Sequence, residues 1–121
     1  MDREQFKSRT KQLALRVIGL VRVLPQDFVA ETIGRQLLRS AMSVGANYRA
    51  ACRAKSPADY INKLKIVEEE GDETIYWLEL LLEAEIFSAA KLSELMSETN
   101  EIVAMTVASI KTARQKMTSN N

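Results

Sequence analysis

SVGANYRAACRAKSPADY, residues 43–60, contains the point at which the chain must turn. Ser56 is a good N-cap, Pro57 suits the first helical position, and Asp59 falls near the positive end of the helix that follows. One helix therefore ends near Ala54 and another begins at Pro57. What precedes the turn is unusual for a helix: Ser43, Gly45, Ala46, Asn47 and Ala50 are small or polar, and Arg49 and Arg53 stand among them. Such side chains allow a neighbouring helix to come close.

Outward from this turn, apolar residues recur at about 100° per residue in four segments. In the first, over about residues 2–24 and ending at Pro25, Phe6, Thr10, Leu13, Val17, Leu20, Val21 and Leu24 share a face. In the second, 26–54, the face is Ile33, Leu37, Ala41, Val44, Tyr48, Ala51 and Cys52. In the third, 57–86, it is Tyr60, Leu64, Val67, Gly71, Ile75, Leu78 and Leu82. In the fourth, 89–116, it is Leu92, Leu95, Met96, Ile102, Val103, Val107 and Ile110, with 118–121 read as a disordered tail. Short connections favour antiparallel neighbours, so the expected fold is all-α, an up-down-up-down four-helix bundle over residues 1–117. Composition agrees: there are two prolines and four glycines in 121 residues, and helix-forming types dominate. A chain of this length forms one domain with a core that needs no disulfide, and its one cysteine offers none within the chain.

The net charge of +1 conceals a segregation. Residues 1–65 carry 13 Lys and Arg against 5 Asp and Glu, residues 66–101 carry 1 against 11, and residues 102–121 carry 3 against none. Local fields, rather than the total, therefore decide what the surface attracts. The opening segment, Met1 to Lys11, is charged rather than signal-like, and no run is long and apolar enough for a membrane span. The expectation is a cytoplasmic protein without a membrane partner.

Two faces remain once the core is assigned. On the second helix Arg35, Arg39, Arg49 and Arg53 fall near one line opposite the core stripe, along about 27 Å of helix. On the third, Ile66, Tyr76, Trp77, Leu80 and Ala84 lie away from the core stripe, with Glu70 and Glu73 among them. A helix that is apolar on two sides must bury both or present a sticky patch, and self-association is the economical answer. The expected contact between subunits comprises Ser43, Asn47, Ala50, Ile66, Glu70, Glu73, Tyr76, Trp77 and Leu80. The alternative is that Tyr76 and Trp77 are half-buried aromatics at the edge of a single bundle.

Chemistry is sparse. The absence of histidine removes the usual general base and the triads built on it, and no glycine-rich phosphate loop is present. Cys52 lies on the core stripe and reads as a small buried hydrophobe. One enzymatic reading survives. Glu69 and Glu70, three residues before Asp72 and Glu73, and Glu98 with Glu101 on the next helix, have the spacing with which facing helices hold Mg²⁺ in nucleotide hydrolases. Acidic pairs on helix surfaces are usually solvated, so neither a catalytic residue, a cofactor nor a metal site is assigned.

QLLRSAMSVGANYRAACRAKSPADYINKLKI, residues 36–66, followed by DETIYWLELLLEAEIF, residues 72–87, resembles the four-helix-bundle family first noticed as reading frames inside intervening sequences of bacterial 23S ribosomal RNA genes. The likeness runs from about Leu13 to Ala113. It implies a closed left-handed bundle that assembles as a homopentamer and has no known catalytic activity. In the family a positive surface has prompted nucleic-acid-binding proposals, and related bundles serve as accessory factors of diversity-generating retroelements. Arg39, Ser43, Asn47, Arg53, Glu73 and Leu78 match the family pattern. Ala50 stands where a glutamate is familiar, and Glu68, Glu69 and Gly71 stand where apolar, basic and alanine residues are.

Residues and resemblance together lead to a ring-like homo-oligomer, expected to be a pentamer, that binds or scaffolds without catalysis. Its expected ligand is nucleic acid, RNA in particular, held by the backbone on Arg35, Arg39, Arg49, Arg53, Lys55, Lys63 and Lys65. No exposed aromatic is interleaved among these cations, so neither base stacking nor sequence reading is expected. The alternatives are an adaptor for proteins whose arginines serve assembly only and, third, a Mg²⁺-dependent nucleotide hydrolase.

Overall fold

The structure, a computed structural model, describes residues 1–119. It consists of four helices, α1 Arg3–Arg22, α2 Phe28–Cys52, α3 Pro57–Glu83 and α4 Ala89–Ser119, with no strand among the described residues. Successive helices pack against one another, and α4 returns to α1 to close the bundle. That last seam is the thinnest of the four.

Caps explain why the helices are shorter at some ends than periodicity predicts. Asp2 opens α1 in a reciprocal capping box, accepting from the Gln5 amide at 2.8 Å while its own N–H donates to Gln5 Oε1 at 3.0 Å. Asp27, extended at φ −135°, accepts from the Ala30 amide, so α2 starts at Phe28 rather than at residue 26. Ser56 caps α3 through the Asp59 amide at 3.1 Å, with Pro57 in the first turn. At the other end of α3 the Ile86 amide bonds the Leu81 carbonyl and the Glu85 amide the Leu82 carbonyl, a Schellman closure that ends the helix at Glu83 instead of 86. Its left-handed position is Glu85, at φ 56°, where glycine is usual. Thr118 and Ser119, expected in a disordered tail, continue α4; residues 120 and 121 lie outside the described residues.

The buried positions follow a 3.5-residue repeat, not 3.6. They are Phe6, Thr10, Leu13, Val17 and Leu20 on α1, with Leu24 just after it, and Ala30, Gly34, Leu37, Ala41, Val44, Tyr48 and Ala51 on α2. On α3 they are Ile61, Leu64, Val67, Gly71, Thr74, Leu78 and Leu81, and on α4 Leu92, Leu95, Thr99, Ile102, Thr106 and Ile110. Spacings are threes and fours that alternate except at Ile61–Leu64–Val67 and Ile102–Thr106–Ile110, the signature of helices wound left-handedly about a common core. The straight-helix stripe must therefore be corrected. Ile33, Tyr60, Ile75, Leu82, Met96, Val103 and Val107 are only half-buried, and Gly34, Ile61, Thr74, Leu81, Thr99 and Thr106 occupy the core instead.

Threonine suits these sites because its hydroxyl can be satisfied within its own helix while its methyl packs inward. Thr99 donates to the Leu95 carbonyl at 2.7 Å and Thr106 to the Ile102 carbonyl at 2.8 Å. Thr74 Oγ1 lies 2.8 Å from the Glu70 carbonyl and 2.9 Å from Ser40 Oγ, joining α2 to α3 through hydroxyls in the core. Gly71 marks the closest approach of α4: a Cβ there would stand 2.5 Å from Val103 Cγ2.

Candidate nucleic-acid interface

The α2–α3 edge is where the structure collects the residues singled out in the sequence. Arg39 reaches across it, with NH2 2.6 Å from Glu73 Oε1 and NH1 3.3 Å from Glu70 Oε2. Of the four arginines in the stripe, Arg39 is thus neutralised inside its own chain. Arg35, Arg49 and Arg53 are exposed and, among the described residues, form no ion pair. Lys55 and Lys65 are exposed and Lys63 is half-buried, all three near the α2–α3 turn. The outer face of α2 therefore presents three unpaired guanidinium groups, with Lys55 just beyond its C-terminal end and Lys63 and Lys65 on the neighbouring α3.

Between the arginines the surface is apolar. A shallow groove of about 330 Å³ runs along α2, lined by Arg35, Leu38, Arg39, Met42, Ser43 and Ala46, and Met42 at its centre is exposed. Long aliphatic arginine stems flank such a floor while their charges stay in water.

The small residues serve two purposes. Ser40 is fully buried against Thr74 and belongs to the chain's own core. Ser43, Asn47 and Ala50 are half-buried on the outer shoulder of α2. The hydroxyl of Ser43 donates to the Arg39 carbonyl at 2.9 Å, and Asn47 Nδ2 donates to the Ser43 carbonyl at the same distance. One amide hydrogen of Asn47 is thus engaged within its own helix, which leaves the second N–H and the carbonyl oxygen of the side chain to meet a partner.

On α3 the second apolar face is narrower than periodicity implies. Tyr76 is 53% exposed, whereas Ile66, Trp77 and Leu80 are half-buried by the single bundle. Trp77 packs against the core and meets Tyr76 edge-on, ring centres 5.0 Å apart. Its indole Nε1 is buried without a hydrogen-bond partner, an uncommon state for that donor.

Of the carboxylate pairs considered for Mg²⁺, two face arginines, while Glu69 and Asp72 are exposed and form no ion pair among the described residues. Glu70 and Glu73 hold Arg39. Glu98 takes Arg9 through two 2.7 Å hydrogen bonds, from Nε to Oε2 and from NH2 to Oε1, with Glu101 at 3.3 Å. Hydrogen bonding to Arg9 holds the Glu98 carboxyl below the usual carboxylate range, and hydrogen bonding to Glu98 raises the guanidinium in turn. Among the described residues no three or more His, Cys, Asp or Glu gather as metal ligands would. Sequence reasoning missed the Arg9–Glu98 pair, since nothing local links positions so far apart. Cys52 also departs from expectation: it is half-buried at one end of the bundle, not in the core stripe.

Residues 4–108 match the model of the 23S rRNA-intervening sequence protein family. The chain belongs to that family. A similar solved structure is the crystal structure of a protein of unknown function from the S23 ribosomal protein family of Bacteroides thetaiotaomicron. It is 36% identical, with a TM-score of 0.84 over 92% of this chain and 99% of the other. Curated proteins give no match. For this intervening-sequence protein the comparisons agree with the four-helix all-α fold and carry no assigned activity. No helix among the described residues is long and apolar enough to cross a membrane.

Proposed function

We propose that this intervening-sequence protein is a non-enzymatic, cytoplasmic, homo-oligomeric binding or scaffold protein that holds RNA by its phosphate backbone on the outer face of α2. The observation that carries the reading is the contrast within the stripe. Arg39 has two acidic partners in the chain, while Arg35, Arg49 and Arg53 are exposed and have none. Exposed guanidinium groups along about 27 Å of helix suit successive phosphates, and without interleaved aromatics the binding does not depend on sequence. Assembly, expected as a ring of five, repeats the patch once per subunit, so that each further contact becomes intramolecular. Exposed Tyr76 on acidic α3 and the apolar groove on basic α2 are complementary in kind and support contact between copies.

Labelled single-stranded RNA tests the reading by fluorescence anisotropy at low salt, with light scattering on the same samples. The expected result is a multi-subunit species that binds RNA, with weaker binding but unchanged mass in Arg49→Ala and Arg53→Ala. The second reading, a protein adaptor, rests on the apolar floor of the α2 groove. It prevails where wild-type protein ignores RNA and the same substitutions dissociate the assembly.

A further inference from the structure

The bundle is left open at the end opposite the α1–α2 turn. Helix α1 has 20 residues and α4 has 31, about 30 Å against about 46 Å. Antiparallel counting from Arg9, which touches Glu98 and Met105, places Arg3 beside Ala108, so the last turns of α4 run past the start of α1. A cavity of about 770 Å³ lies there, between the end of α2, the start of α3 and the end of α4. A second hollow of about 350 Å³ continues it toward Phe6 and Tyr48, sharing Arg3 and Tyr60.

The lining of the larger cavity is amphipathic and one-signed. Ala51, Cys52, Ala113 and Met117 contribute apolar surface. Among the described residues Arg3 and Lys116 are its charged lining residues and no carboxylate lines it; Asp2 lines the adjoining hollow. Arg3 is held over the Tyr60 ring, 5.0 Å from its centre, so its charge is fixed at the rim. A volume within about 300–1,000 Å³, with apolar walls beside the polar side chains of Ser56, Tyr60, Ser109 and Thr112 and two cations, suits a small molecule that is itself part apolar and part polar. The charge selects the ligand: an apolar body too short to leave the cavity, ending in a single negative group.

We propose that this open end binds a small amphipathic carboxylate, its apolar part against Ala51, Ala113 and Met117 and its carboxylate between Arg3 and Lys116. The site is separate from the arginines of the α2 outer face and needs no nucleic acid.

Calorimetric titration of the full chain with decanoate, below its micelle-forming concentration, tests this, with decyltrimethylammonium as a tail of equal length and opposite charge. The expected result is saturable binding of one decanoate per chain and at least tenfold weaker binding of the ammonium. Arg3→Gln and Lys116→Gln are each expected to weaken decanoate about tenfold, as loss of a charged hydrogen bond does. Ala108→Trp, at an exposed lining position, keeps both cations while filling the space and is expected to abolish binding. Absence of saturable decanoate binding, equal binding of the two tails, or wild-type affinity in Ala108→Trp overturns the proposal.

Discussion

Arg9 and Arg39 each join two helices through a pair of glutamates, but at opposite edges of the bundle and with different weight. At the α1–α4 edge, where packing is thinnest, Arg9 and Glu98 are each about one-fifth exposed and meet in a two-pronged bond. At the α2–α3 edge hydroxyls and apolar side chains already form a dense seam, and Arg39, about half exposed, lies on its rim. A partly desolvated bidentate pair contributes to stability, and a solvated one contributes little. The bundle is thus closed by charge on one side and by packing on the other. The other arginines of the α2 stripe, Arg35, Arg49 and Arg53, are left to act outward.

The packed side breaks most readily at Gly71. Gly71→Ala drives a methyl into Val103 and is expected to lower stability by about 1–3 kcal/mol in urea denaturation. Val103→Ala in the same chain should return most of the loss. On the charged side, Glu98→Gln is expected to lose about 1–2 kcal/mol at neutral pH, since it leaves Arg9 with Glu101 alone. The sign with pH follows from the depressed folded value of Glu98. Its contribution is complete above the unfolded carboxylate pKa of about 4.3 and disappears as pH falls through the lower folded one. Melting curves of wild type and Glu98→Gln should therefore converge in acid.

Smaller effects sharpen the contrast. Glu85→Gly, which relieves a side chain held at positive φ in the α3–α4 turn, is expected to raise stability by about 0.5–1 kcal/mol without touching either seam. Arg39→Ala should cost only about 0.5 kcal/mol in the same denaturation assay, well below Glu98→Gln. Arg49→Ala and Arg53→Ala should leave the unfolding midpoint unchanged.

The four helices and the turn at Ser56–Pro57 were legible because caps and apolar spacing are local properties. The inward face was less so. A straight helix selects Ile75 and Leu82, whereas a supercoiled one turns Thr74 and Leu81 inward, and that winding exists only when four helices pack together. Threonine adds to the difficulty, since Thr99 and Thr106 read as polar until their hydroxyls are seen bonded to their own helix. The outward position of Arg35, Arg49 and Arg53 was legible from their angle on the helix. That Arg39 alone would be neutralised was not, because the choice depends on which glutamates α3 brings within 3.3 Å.

The division between inward-tied and outward-acting arginines is tested most directly by the salt dependence of single-stranded RNA affinity in wild type, Arg39→Gln and the triple variant Arg35→Gln, Arg49→Gln, Arg53→Gln. Each phosphate contact contributes about 0.7 to the slope of log affinity against log salt. The account predicts a steep wild-type slope, nearly the same slope in Arg39→Gln, and a slope shallower by about 2 in the triple variant. A triple variant that keeps the wild-type slope, or a wild-type protein that binds no RNA at low salt, would contradict it.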